Sequence, residues 1–379
     1  MQNIDQNWTF PYLPEPPLWR IDWQQLELYF GWLSAMRNCP QDPIYHQEGD
    51  LLTHTKMVCE ELVSMNSWRA MAQTERSILF AAALLHDVAK PDLTKIGTDQ
   101  RISSKGHAKN GAKRAREILW KLGTPFSCRE MIVSLVRHSS LPFFALEKPN
   151  PSYSVIKASQ TVRSDWLAML EEADAKGRIC ADRQILIEKV ELFRELCEEN
   201  RCYNQPRSFS SPHSRFLYFY KEGSSLDYQA FDDTEFEVVL MSGLPGAGKD
   251  SWIRENVSML AVISLDLLRE ELQVAAHKNQ GQVVYAAKEK AREYMRRKQS
   301  FVWNATNITK QLRSQLISLF HSYRAKIRIV YLETELEEIY RRNRMRERSV
   351  PSSVIAKLVA KLDLPDLTES HTVDYYINP

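Results

Sequence analysis

An all-α domain followed by an α/β domain with a parallel sheet is the fold class this sequence predicts, and three observations predict it. Apolar residues recur at helical spacing from position 23 to about 199, where strand signals are scarce. A strand-like run, a glycine-rich turn and a helix start follow one another over positions 237–252. Beyond them, short apolar runs alternate with helical stretches, the pattern of crossover connections between parallel strands.

In the first half, positions 53–63, 78–85, 108–122 and 183–199 show the clearest helical spacing, and six to nine helices are expected in a domain spanning 1–203. Proline and glycine gather in two loops, 90–106 and 141–153. Over 204–235 the texture changes to Ser, Pro, Asp and aromatics, so a linker is expected. Phe216, Tyr218, Phe219, Tyr220, Tyr228 and Phe231 make it an ordered linker, packed against one domain or both. In the last segment, 236–379, strands are expected at 236–241, 260–265, 300–303 and 326–332. No period of repeat length recurs.

The 379 residues exceed one ordinary core, and 44% hydrophobic residues suffice to build two. With 50 basic and 48 acidic residues the net charge is +2, which excludes a global basic field and leaves nucleic-acid binding to local patches. Cys39, Cys59, Cys128, Cys180, Cys197 and Cys202 form no C-x-x-C pair, so neither a zinc ribbon nor a disulfide framework is expected. Positions 1–19 carry no basic segment before an apolar run, and no window approaches 18 uninterrupted apolar residues. The expectation is a soluble, cytoplasmic chain with reduced thiols and no membrane partner.

Chemistry in the first half gathers around His86-Asp87, which ends the apolar run at 80–85 and is therefore rigidly held. Such a pair also arises by chance at a helix end, with the acid as a cap. Its company makes it informative: His54, His107, His138 and Asp174 each fall on a different expected helix or helix edge, which is how a bundle assembles a metal site from distant residues. Imidazole plus carboxylate without thiolate suits Mn, Co, Ni, Fe or Zn.

His54, His86-Asp87 and Asp174 together resemble the defining pattern of the HD phosphohydrolase superfamily. The segment 106–112 (Gly-His-Ala-Lys-Asn-Gly-Ala) and His138 are similar to the HD domain of bacterial CCA-adding enzymes. The resemblance covers roughly 47–175. It implies one or two divalent transition metals, the first held by His54, His86, Asp87 and Asp174, with His107 and His138 on a second metal or the phosphate. It also implies that Lys90 contacts a phosphate oxygen and that the reaction is hydrolysis of a phosphomonoester or cyclic phosphodiester.

In the second half, Gly243-Leu244-Pro245-Gly246-Ala247-Gly248-Lys249-Asp250-Ser251 matches a P-loop in spacing and context. Its glycines let backbone N–H groups converge on ATP phosphates at a helix start, and Lys249 supplies a point charge. Asp250 stands where Ser or Thr normally touches Mg²⁺; either its carboxylate holds the ion or Ser251 substitutes. Asp266 ends the second expected strand of this half, where it can take a proton from an acceptor hydroxyl or merely cap a helix. Arg269, three residues on, can grip an acceptor phosphate. Arg342 and Arg346, four apart on a basic helix, suit a lid over ATP.

Across roughly 236–377 these features resemble the polynucleotide 5′-kinase branch of P-loop phosphotransferases. The resemblance implies Asp266 as general base, Arg269 on the acceptor's phosphate, Arg342 and Arg346 as lid, and Thr306, Asn307 and Arg313 on the acceptor side. The whole chain looks like the bacterial bifunctional HD-domain phosphohydrolase/polynucleotide kinases. That implies an all-α HD bundle joined to a P-loop kinase, acting on RNA or DNA strand ends with ATP or another NTP and Mg²⁺, upstream of a separate RNA ligase. Two other readings fit the same residues: an HD nucleotidase fused to a nucleoside or small-molecule kinase, and an ATP-gated RNA-binding module.

Overall fold

The computed structural model describes residues 7–221, 225–274, 280–345 and 349–378. Its chain divides into two compact units, Met1–Arg207 and Ser208–Pro379.

The first unit is helical. Helix Leu51–Ser64 is started by Asp50, whose carboxylate accepts from Thr53 N at 2.8 Å, and this sets His54 on its first turn. Helix Gln73–Leu85 ends in a run, Ser77 to Leu85, that is buried throughout, so the pair that follows it sits in the middle of the domain. Helices His107–Lys121, Phe126–His138, Ser164–Lys176 and Arg183–Glu199 complete the main frame. One-turn helices such as Asn66–Arg69, Lys90–Leu93 and Leu141–Phe144 fall between them, too short to carry a period. The loop expected at 90–106 contains a small antiparallel hairpin, β1 (Lys95–Ile96) with β2 (Ile102–Ser103).

Gly177 fixes how two of the main helices meet. A Cβ there would lie 2.8 Å from Val58 N and 3.0 Å from Val58 Cα, so only a residue without a side chain lets the end of helix Ser164–Lys176 press on the backbone of helix Leu51–Ser64. Asp174 and His54 face each other because of that approach.

The second unit is a five-stranded sheet in the order β4-β5-β3-β6-β7, with β3 at Phe236–Ser242, β4 at Ala261–Ser264, β5 at Phe301–Asn304, β6 at Ala325–Thr334 and β7 at Thr372–Asn378. Every pairing is parallel. The first four strands lie where sequence placed them; β7, partly exposed, was not among the expected strands. Alternate residues face opposite layers: Val238, Leu240 and Ile329 pack under helices Gln280–Arg296 and Lys310–His321, while Val239, Met241 and Val330 pack against Trp252 and Ile253. Covering both faces explains why the strands read as continuous apolar runs.

Much of the expected linker lies within this unit. Helix Pro212–Tyr220 buries Phe216 in the sheet's core, and Arg215 donates to the carbonyls of Leu367 at 3.0 Å and His371 at 2.6 Å. His371 Nδ1 accepts from Ile327 N at 3.0 Å, so its Nε2 carries the proton shared with His213 Nδ1 at 3.0 Å. No helix among the described residues is long and apolar enough to cross a membrane.

Two candidate phosphate-chemistry sites

In the helical unit, His54, His86 and Asp87 place donor atoms within 4.8 Å of one another, and all three are buried. Asp174 joins them, with Oδ1 at 3.1 Å from His54 Nε2. His86 Nδ1 lies 2.7 Å from Ala83 O and must donate to it, so Nε2, which faces Asp87 Oδ2 at 3.2 Å, is the ring atom left for a metal. His86 Nε2 and both His54 nitrogens are buried without an aligned hydrogen bond among the described residues. Ligands about 2.1 Å from one ion and at right angles stand about 3 Å apart, the spacing seen here. The residues fit a divalent metal.

Charge around the cluster is arranged to keep its acids ionised. Burial alone would raise Asp87, but Lys90, with Nζ at 2.6 Å, together with His86 and His107 holds it well below the usual carboxylate range. Burial likewise opposes ionisation of Asp174, yet Arg178, bonded through Nε at 3.0 Å and Nη2 at 2.6 Å, and His54 hold it well down. His107 Nε2 stands 3.7 Å from Asp87 Oδ1 at the rim. His138 Nε2 lies 3.2 Å from Thr161 Oγ1; neither His138 nor His107 joins a donor group found among the described residues. The expectation of a second metal on that pair gains no geometry.

Four residues at this site escaped the sequence. Glu48 Oε1 approaches His54 Nδ1 and His46 Nδ1, each at 2.8 Å, so it backs the ring from the side opposite Asp174. Both precede the helix in a loop that carries no period. Glu171 and Arg178 flank Asp174 at i−3 and i+4, a spacing that was readable. Burial, then Asp174, drives the Glu171 carboxyl well above its usual range.

In the sheet unit the loop after β3 winds through Gly243, Gly246 and Gly248 at φ +150°, +86° and +95°. At Gly243 a Cβ would meet Leu332 O at 2.5 Å, so the loop lies flat on β6. Lys249 Nζ donates to the carbonyls of Gly243 and Leu244, each at 2.9 Å, closing the loop over the start of helix Lys249–Asn256. Ala247 is buried beneath it. Arg342, on helix Leu336–Met345, lies against this loop: its Cβ is 3.7 Å from where a Gly246 side chain would begin and its Nη1 3.9 Å from that point at Gly248. Glu338 accepts from Arg342 Nε. Arg346 lies outside the described residues.

Asp250 is exposed and accepts from Asn304 Nδ2 at 2.7 Å, whereas Ser251 Oγ accepts from Arg254 at 3.1 Å. Of the two, Asp250 is the one that meets the tip of β5, through Asn304. Asp266 follows β4 directly, on helix Leu265–Glu271, and pairs with Arg269, which also donates to Gln280 at 2.9 Å. Two inter-strand spacings separate the tips of β3 and β4, about 10 Å.

The acceptor-side residues divide. Thr306 remains partly accessible and its carbonyl accepts from Gly243 N at 2.9 Å. Asn307 is buried and gives its amide to Met241 O at 2.8 Å. Arg313 is fully buried, with two bonds of 2.9 Å to Glu369 and others to the carbonyls of Asn307 and Asp363. These two brace the base of the phosphate loop. Arg313 offers no exposed surface to an acceptor in this structure.

Comparison with known proteins agrees with this division. Residues 51–164 match the family model for the HD domain, and residues 238–365 match an AAA domain family of P-loop proteins. Asp174 lies beyond the end of the first match. A 115-residue stretch is 33% identical to the multifunctional CCA protein of Halorhodospira halophila (strain DSM 244 / SL1), covering 30% of this chain and 25% of that protein. A crystal structure described as a candidate kinase from Chloroflexus aurantiacus J-10-fl is 11% identical with a TM-score of 0.33, over 38% of this chain and 89% of that one. The helical unit thus carries an HD domain match and the sheet unit an AAA domain match.

Proposed function

We propose that the chain heals RNA ends, phosphorylating 5′-hydroxyls with its P-loop domain and removing 2′-phosphate or 2′,3′-cyclic phosphate with its HD domain. The observation that carries the reading is the acceptor side of the kinase site: the Asp266 side chain is 78% exposed, with Arg269 beside it. Small acceptors are bound in pockets that bury most of their surface. An open carboxylate next to an anion-binding guanidinium suits the end of a chain whose bulk stays in solvent.

At that site Lys249 and the loop N–H groups hold the ATP phosphates, and Arg342 covers them. The acceptor oxygen bonds to the γ-phosphorus as the bond to the ADP oxygen breaks, and the hydroxyl proton passes to Asp266. At the HD site, His54, His86, Asp87 and Asp174 hold a divalent ion, which supplies activation of water and neutralisation of phosphoryl charge. Lys90 stands beside Asp87, where it can meet a phosphate oxygen.

The test is a paired assay of the full chain. With γ-labelled ATP, label should pass to 5′-hydroxyl RNA oligonucleotides in preference to nucleosides, and with Mn²⁺, Ni²⁺ or Co²⁺ phosphate should be released from RNA carrying a 2′-phosphate or opened from a cyclic end. Label passing only to nucleosides would make the chain a small-molecule kinase. ATP binding without transfer to any acceptor would make its P-loop domain a sensor.

A further inference from the structure

At the C-terminal edge of the sheet, two side chains stand the other way round from the usual arrangement. P-loop NTPases hold their divalent ion with the hydroxyl that follows the loop lysine and with an acid on a nearby strand. Here the residue after Lys249 is an acid, Asp250, and the tip of β5, the strand hydrogen-bonded to β3, is an amide, Asn304.

The two side chains meet. Asn304 is 8% exposed, and its Nδ2 donates to Asp250 Oδ1 at 2.7 Å; Asp250 is exposed, and its Oδ2 makes no hydrogen bond among the described residues. An acid at position 304 would stand against Asp250 as a second negative charge at that distance, and two carboxylates so close do not both ionise. The amide removes that conflict, fixes one carboxylate oxygen and keeps the pair at a single negative charge. The oxygen ligand has moved from strand to loop, and the neutral hydrogen-bonding partner from loop to strand.

We propose that Asp250 and Asn304 form a charge-exchanged cation holder for the kinase site, Asp250 supplying the carboxylate to Mg²⁺ and Asn304 acting as its positioning residue. This rests on the reading of the P-loop domain as an ATP-using kinase. It changes what the simplest substitution does: Asp250→Ser, which restores the ordinary loop, leaves the pair with Asn304 without its acid.

The experiment is calorimetric titration of the full chain with ATP, in Mg²⁺ and in EDTA, where the readout is the ratio of the two affinities. Asp250→Ser and Asp250→Asn should each lower that ratio by about 10- to 100-fold, and Asn304→Ala by about 10-fold. Affinity in EDTA should hold, because Lys249 and the loop N–H groups are untouched. Asp250→Ser combined with Asn304→Asp should recover a ratio within a few-fold of the wild type. Asp250→Asn preserves size and backbone, so unchanged melting separates lost ion binding from lost folding. A wild-type ratio in either Asp250 variant, or a double variant no better than Asp250→Ser, overturns the exchange. If the wild type binds no ATP in either buffer, the kinase reading fails, and that result appears before any variant is made.

Discussion

Replacing Gly177 by alanine tests whether the HD cluster depends on the close approach of two helices. Gly177 has φ −74°, an ordinary value, so alanine meets no backbone objection and would by itself stabilise by about 0.4–1 kcal/mol through the unfolded chain. Its Cβ, however, would lie 2.8 Å from Val58 N and 3.1 Å from Met57 C, backbone atoms that move only with their whole helix. Overpacking of this kind costs about 1–3 kcal/mol. The net loss should be about 1–2 kcal/mol, and at roughly 2–4 °C per kcal/mol for a domain of this size the melting temperature should fall by about 2–8 °C. The helix shift also parts Asp174 from His54, now 3.1 Å apart, so the affinity for Mn²⁺ should fall while ATP binding in the other domain holds. Melting by circular dichroism and Mn²⁺ titration of the same preparation provide the measurement. A variant that melts within 1 °C of the wild type and binds Mn²⁺ equally well would show that the contact yields freely and that the juxtaposition has another cause.

Three further outcomes are expected. Asp87→Ala should abolish phosphate release while the kinase stays within a few-fold of wild type, as assayed on one preparation; joint loss in a folded protein would contradict separate sites. Asp266→Asn should slow phosphoryl transfer by about 10²- to 10⁴-fold with ATP binding retained, and turnover close to wild type would reduce Asp266 to a cap. The third is a pH effect on the sheet unit: burial, then His213, lowers His371 from 6.5 to about 4. The unfolded chain therefore takes the proton first. Stability from His371 is complete above pH 6.5 and is lost as pH falls toward 4, by up to roughly 3 kcal/mol. Urea midpoints between pH 4 and 7 should show this slope in the wild type and a flatter one in His371→Gln; parallel slopes would refute it.

The parts of this molecule that could be read in advance are those where one local pattern carries the message. The P-loop announces itself because strand, glycines, lysine and helix are contiguous, and His86-Asp87 because a fully apolar helix delivers it. Residues acting through contacts distant in sequence left no such trace. Glu48 sits in a loop and gains its meaning only when helix Leu51–Ser64 turns His54 toward it. Arg313 was expected on the acceptor side only through the resemblance to polynucleotide kinases, and only the fold reveals Glu369, 56 residues away, as its partner. Strand β7 was missed although Val373, Tyr375, Tyr376 and Ile377 are strand formers, because Asp374 breaks the run and the strand lies partly exposed at a sheet edge.

Helix Pro212–Tyr220 decides where the enzyme can be cut. A fragment beginning at β3 would keep every motif of the P-loop domain yet lack the Phe216 ring, a loss comparable to a buried Phe→Ala change, about 3–5 kcal/mol. It would also leave the carbonyls of Leu367 and His371 without the guanidinium that serves them. Against a usual total of about 5–15 kcal/mol, such a fragment would stand near the limit of stability. The natural seam for dissecting or transplanting the P-loop domain lies at Arg207 and Ser208, some thirty residues before its first recognisable strand.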